Sequence, residues 1–141
     1  MDLNIRGRKA VITGASKGIG RAIADRLAAE GADVHLVART VATLEVAVSE
    51  LKNDYGINAS FSALDLSESA NVDRLFADYN NPIDILVNNA GAIPGGSMDL
   101  VDEGSWRDAW DLKVFGYINM CRLGYARMRD TGQGVIINII G

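Results

Sequence analysis

The chain of 141 residues contains a single cysteine, Cys121, so neither an internal disulfide nor a cysteine-based zinc site can form. A reducing, cytoplasmic setting is the expectation that follows. Only two prolines occur, Pro82 and Pro94, and both fall between periodic segments rather than inside them. No window approaches 18 consecutive apolar residues, so no membrane-spanning helix is expected. The opening stretch, MDLNIRGRKAVITG, lacks the long apolar run and small-residue cleavage site of a signal peptide. Neither sign of charge dominates: 14 Lys and Arg against 18 Asp and Glu leave −4, without the basic excess that a general nucleic-acid binder needs. At 48% hydrophobic residues the chain is too apolar for a disordered one, and its length suits one domain spanning 1–141.

Short β-branched runs alternate with amphipathic stretches. Lys9 to Thr13 (KAVIT) is a continuous apolar run, as a strand buried on both faces requires. Ile19, Ala22, Ile23 and Leu27 then recur at helical spacing over Gly18 to Glu30, with Gly31 as the stop. Val34 to Ala38 is a second strand. Val41, Leu44, Val48, Leu51 and Tyr55 mark a second helix between a Thr40 cap and Gly56. Asn58 to Leu64 is a third, more polar strand. Ser67 can cap a helix with Val72, Leu75, Phe76 and Tyr79 on its apolar face. Ile83 to Asn88 is a fourth strand, Ser105 to about Arg129 a long helix, and Val135 to Ile140 a fifth strand. Asp99, Asp102 and Glu103 suit the positive end of the long helix better than a metal. His35, inside the second strand without a ligand cluster, is expected to be packed rather than ligating. Cys121, on an apolar helix, reads as core or interface rather than nucleophile. This order predicts an α/β fold, a doubly wound parallel sheet with helices on both faces.

The first strand runs into Thr13-Gly14-Ala15-Ser16-Lys17-Gly18-Ile19-Gly20. A glycine-rich turn between strand and helix points backbone N–H groups outward at the positive end of the helix, which suits a pyrophosphate. Gly14 allows a tight turn, Gly18 close approach of a ligand, and Gly20 close packing of helix on sheet. No Gly-Lys-Ser/Thr closes the turn, so it is not a P-loop.

Three ordered motifs now stand at the ends of successive strands: Thr-Gly-x-x-x-Gly-Ile-Gly at 13–20, Asp65-Leu66, and Asn88-Asn89-Ala90-Gly91. Together they resemble the classical short-chain dehydrogenase/reductase family over the whole chain. The resemblance implies a Rossmann-type fold and a nicotinamide cofactor. Ser16, Lys17, Gly18 and Ile19 would then line its phosphates and ribose. Asp65 would bond the adenine amino group beside Leu66, and Asn89, Ala90 and Gly91 would pass under the nicotinamide-side ribose. After the second strand, where a carboxylate would favour NAD, stand Ala38 and Arg39. A guanidinium can fork onto a 2′-phosphate, and Lys17 adds a second cation, so NADP is expected in preference to NAD.

The resemblance also implies a catalytic Asn, Ser and Tyr-x-x-x-Lys, and here the pattern fails. Lys113 stands where the Asn is expected, seven positions after Trp106, and Gly141 stands at the Ser position. None of Tyr55, Tyr79, Tyr117 or Tyr125 has a Lys four residues later, so no catalytic residue is assigned. Lys113 could be a replacement donor, a cofactor contact or a solvated lysine. The expected function is hydride transfer between NADP(H) and a small alcohol or carbonyl substrate, by a longer protein of which these residues are the N-terminal part. These residues alone are expected to be inactive. A non-catalytic NADP-binding or sensor protein is the alternative, and a purely structural module a weaker third. The loop Ala92 to Met98 would border the substrate. A homo-oligomer is expected through the helix from Ser105 to Arg129, whose apolar residues exceed one stripe. The fifth strand, VIINII, adds an edge liability and with it poor solubility.

Overall fold

The computed structural model describes residues 2–140. Five strands, β1 (Lys9–Thr13), β2 (Asp33–Ala38), β3 (Ala59–Ala63), β4 (Ile85–Asn88) and β5 (Val135–Asn138), form one sheet in the order β3-β2-β1-β4-β5. Every pairing is parallel. This is the strand order of a doubly wound dinucleotide-binding fold, and the chain reverses direction across the sheet between β1 and β4. The α/β expectation is met, with β3, β4 and β5 each shorter than the periodicity implied.

The alternation of side chains along each strand divides the core in two. Ile12, Leu36 and Val87 face helices α1 (Gly18–Ala29) and α2 (Val41–Tyr55), where Ala24, Leu44 and Leu51 meet them. Val11, Val37 and Leu86 face α3 (Ser69–Asp78) and α5 (Tyr117–Thr131), where Val72, Leu75 and Met120 close the second layer. Each fully buried Leu or Val contributes roughly 1.5–3 kcal/mol. The opposite ends of the strands are tied by carboxylates: Asp84 accepts from the Lys9 backbone N–H and pairs with Arg8, and Asp33 pairs with Lys9.

Several helix details depart from expectation. Ile19 is 65% exposed, because the first turn of α1 opens onto a cleft rather than the core. The buried stripe of α1 is Gly20, Ala24 and Ala28, with Ile23 and Leu27 partly packed and Ala22 exposed. Val41 and Tyr55, at the two ends of α2, lie outside its buried stripe. Thr40 and Gly56 do bound α2, but Thr40 makes no side-chain cap bond. Ser67 does not cap α3 either; its hydroxyl and N–H are held by Asp65, and Glu68 occupies the cap position.

The long helix is not one α-helix. It begins at Glu103, earlier than expected, where Asp102 accepts from the Ser105 N–H at 2.8 Å. After α4 (Glu103–Trp110) it widens into a π-helical turn over Asp111–Gly116 before α5. Gly116 there lies so close to the Leu66 carbonyl that a Cβ would sit 3.0 Å from the oxygen. A wide turn changes the angular register of the residues that follow it. Tyr117 and Met120 consequently face the core, while Trp110, Phe115, Ile118 and Tyr125 are exposed on the outside. β5 lies at the sheet edge, with Val135 and Ile137 exposed. No helix among the described residues is long and apolar enough to cross a membrane.

His35 is packed, as expected. Its ring nitrogens bond the hydroxyls of Ser60 (2.8 Å) and Ser62 (2.9 Å), and its ring lies 4.6 Å from that of Tyr79. Burial disfavours the imidazolium and pushes the pKa down to about 4. Below the ordinary value of 6.5 the unfolded chain therefore binds a proton that the folded chain refuses. Stability from this group is complete above pH 6.5 and is lost as pH falls towards 4, by on the order of 3 kcal/mol. Urea unfolding at pH 7, 5.5 and 4.5 should show this fall, and His35→Gln should flatten it. An unchanged slope in the variant would contradict the assignment.

Candidate active site: a cleft at the carboxyl ends of the strands

A cleft of about 600 Å³ opens where the chain reverses across the sheet. Its floor begins at the end of β1. The Thr13 hydroxyl accepts the backbone N–H groups of Asn89 and Ala90, both at 3.0 Å. In return the Asn89 side-chain amide donates to the carbonyls of Thr13 and Gly14, each at 3.2 Å. Two neighbouring strand ends are thus tied by four hydrogen bonds. The glycines fit into this clamp. Gly14 has φ +64, and a Cβ on it would lie 2.9 Å from the Ala90 Cα. A Cβ on Gly20 would lie 2.3 Å from the Gly14 carbonyl oxygen and 2.5 Å from the Asn89 amide nitrogen. Only glycine lets α1 start this close to the sheet.

The first turn of α1 faces the cleft without a blocking group. Lys17 is its cap residue and makes no side-chain cap bond, and no acidic residue occupies the first turn. Gly18 has φ +59, and a Cβ there would meet nothing within 4 Å. The first N–H groups of a helix lack intrahelical partners, and here they stand beside open space at the positive end of the dipole. That donor set fits a phosphate or diphosphate.

Of the residues singled out from sequence, Gly14, Ser16, Lys17, Gly18 and Ile19 line the β1 side. Arg39 lines it after β2, Asp65 and Leu66 after β3, and Asn89, Ala90 and Gly91 after β4. Gly20 does not; it lies beneath the clamp and acts through packing. The Asp65 carboxylate accepts from the N–H (3.0 Å) and hydroxyl (2.7 Å) of Ser67. The Ser67 N–H is the main cause that holds its pKa below the usual range, against partial burial; the hydroxyl and the nearby Arg39 charge reinforce it. Arg39 is exposed at the cleft rim.

The far wall was less legible. Leu112, Lys113 and Ile139 line the cleft together with Ala92 and Ile93, the start of the loop expected to border a substrate. Lys113 is not a solvated lysine. Its ammonium donates to the Ile139 carbonyl (2.8 Å) and the Tyr117 hydroxyl (3.2 Å), and lies 5.0 Å from the centre of the Tyr117 ring. The Tyr117 hydroxyl also donates to the Ile139 carbonyl, and burial pushes its pKa up to about 12. Position 141, expected at the family's Ser, lies outside the described residues. Cys121 is half-buried, and its sulfur accepts from the Asn88 amide at 3.3 Å.

The sequence pattern of the family described as short chain dehydrogenase matches residues 8–141. The chain belongs to that family. The 2,3-dihydro-2,3-dihydroxybenzoate dehydrogenase of Bacillus subtilis is 35% identical to it over 138 residues, 96% of this chain and 52% of that protein. L-sorbose reductase from Gluconobacter frateurii, solved with NADPH and L-sorbose, superposes with a TM-score of 0.92 at 38% identity, over 98% of this chain and 54% of its own. A 3-oxoacyl (acyl-carrier-protein) reductase from Agrobacterium tumefaciens, solved with NADP, superposes with a TM-score of 0.87 at 29% identity, over 95% and 52%. This short-chain dehydrogenase chain spans about half the length of the curated relatives it matches.

The clamp makes a direct prediction. Gly20→Ala should cost about 1–3 kcal/mol, the range for forcing a methyl group into a packed site. Denaturant unfolding reads it, and a loss within 0.3 kcal/mol of zero would contradict the close approach described above.

Proposed function

We propose that the protein containing this chain is an NADP(H)-dependent oxidoreductase acting on an alcohol or carbonyl substrate, with residues 1–141 as its nucleotide-binding domain. The observation that carries the cofactor choice is at the end of β2: Ala38 and Arg39 line the cleft, as does Lys17 after the neighbouring β1, and no carboxylate follows β2 there. Two superposed relatives that hold NADPH or NADP support the same choice. In this reading the N–H groups of the first α1 turn take the diphosphate, Arg39 and Lys17 the 2′-phosphate, and Asp65 with Leu66 the adenine. Ala90 and Gly91 form the floor beneath the second ribose, and Asn89 holds that floor in place. The bound nicotinamide would supply or accept hydride; the residues of this chain bind and orient it.

Lys113 at the expected Asn favours a second reading as a non-catalytic NADP-binding or sensor protein. Turnover by the full-length protein separates the two, and the 141 residues alone are expected to be inactive. A cytoplasmic location belongs to the first reading and rests on the lone cysteine. So does association with a second copy: Trp106, Trp110 and Phe115 form an exposed apolar groove on the outer side of α4 and the π turn, with Tyr125 further along.

Arg39→Ala should weaken NADPH binding by roughly 1.5–3 kcal/mol, the scale of a charged hydrogen bond, and leave NADH nearly unchanged. Calorimetric titration of both cofactors is the check, and equal losses would rule the assignment out. Sedimentation equilibrium should show a dimer or larger at tens of micromolar that Phe115→Asp weakens; a monomer would rule association out.

A further inference from the structure

The cleft has two cationic ends, and the proposed cofactor accounts for one. Arg39 and Lys17 follow β2 and β1, whereas Lys113 is held against Ile139, which follows β5. β2 and β5 are three strand spacings apart, about 14 Å. Lys113 therefore serves a different part of whatever occupies the cleft. Its partners are neutral: a backbone carbonyl and a phenol. Among the described residues no acidic side chain forms an ion pair with it, although eight such pairs occur elsewhere. An ammonium has three donors, and two are engaged, so one remains for a ligand. The aliphatic stem is fixed too: it packs over Gly91, where a Cβ would lie 3.0 Å from the Lys113 Cδ. The cation is thus half-buried, oriented and uncompensated at the Gly91 end of the cleft.

We propose that Lys113 is an anion-recognition residue that selects a substrate carrying a carboxylate beside its reacting carbonyl or alcohol carbon. The inference rests on the proposed function, which gives the Gly91 end to the reacting half of the cofactor. A charge without an acidic partner in a half-buried position gains most from an anionic ligand, because a charge-assisted hydrogen bond there is stronger than a neutral one. The π turn over Asp111–Gly116 carries Lys113, and Tyr117, in the first turn of α5, braces its ammonium. A neutral amide at this position would supply a hydrogen bond without the charge.

The test uses the full-length protein saturated with NADP+ and two probes, pyruvate and its methyl ester, which replaces the negative charge by one methyl group, titrated by calorimetry. Pyruvate should bind at least tenfold more tightly than the ester. Lys113→Met should bring the two within about twofold, while NADP+ affinity stays within about twofold of the unsubstituted protein. If Lys113→Met does not fold, Lys113→Gln, which retains a donor for the Ile139 carbonyl, carries the same comparison. A protein that shows no preference for pyruvate, or binds neither probe, overturns the inference. So does a preference that survives both substitutions, or a tenfold loss of NADP+ on substitution, which would make Lys113 a cofactor contact. Failure of the unsubstituted protein to bind NADP+ is distinct: it strikes the proposed function, and this inference with it.

Discussion

The site depends on the hydrogen-bonded clamp between the ends of β1 and β4. The Thr13 hydroxyl takes two backbone N–H groups from the β4 side, and the Asn89 amide returns two bonds to carbonyls on the β1 side. Strands that part at a chain reversal leave backbone groups without ladder partners, and an unpaired buried group costs about 1–3 kcal/mol. The clamp satisfies four such groups and holds the two edges of the crevice at fixed separation. Gly14 and Gly20 are consequences of it, because α1 must approach within the distance a Cβ would occupy. The first turn of α1 is thereby presented to open space with its donors free. Phosphate affinity, on this account, follows from packing on the opposite side of the turn.

The second constraint is the contact of Gly116 with Leu66. The π turn runs past the Leu66 carbonyl, and Leu66 itself is buried in the core layer beneath α3 and α5. The turn therefore couples the Asp65–Leu66 side of the cleft to the wall that carries Leu112 and Lys113. It also changes the register of the long helix, so that Tyr117 and Met120 turn inward while Phe115 and Ile118 stay outside. One local widening thus positions a cleft cation and exposes an apolar outer face.

Much of this was legible in the sequence because it rests on short-range patterns. Apolar runs and glycine turns marked the five strands, and residues at strand ends are near one another whenever a parallel sheet forms. The 13–20 turn was identifiable from its glycines, and the family resemblance joined Asp65 and Asn89 to it, at strand ends that a parallel sheet brings together. What was not legible depends on longer-range geometry. The resembled family's Asn, expected seven positions after Trp106, singled out Lys113, but not the carbonyl of Ile139, 26 residues later, that holds it. Hydrophobic periodicity averages over a π turn, so the long helix read as continuous. Ser67 reads as a helix cap by residue type, yet Asp65 two residues earlier competes for it. The resemblance puts Asn89 under a ribose; the bonds from its side-chain amide to the Thr13 and Gly14 carbonyls, which hold the cleft together, had no signal in the sequence.

The central claim is that a clamped strand junction presents a rigid, donor-rich cleft to a nicotinamide dinucleotide phosphate. Titration of the ¹⁵N-labelled protein with NADP+, followed by amide chemical shifts, tests it most directly. The account predicts saturable shifts at Ser16 to Ile19, Arg39, Asp65, Leu66, Ala90 and Gly91, with the Asn89 side-chain amide still protected from exchange. Shifts absent from the 16–19 turn, or an Asn89 amide that exchanges freely in the bound state, would contradict it.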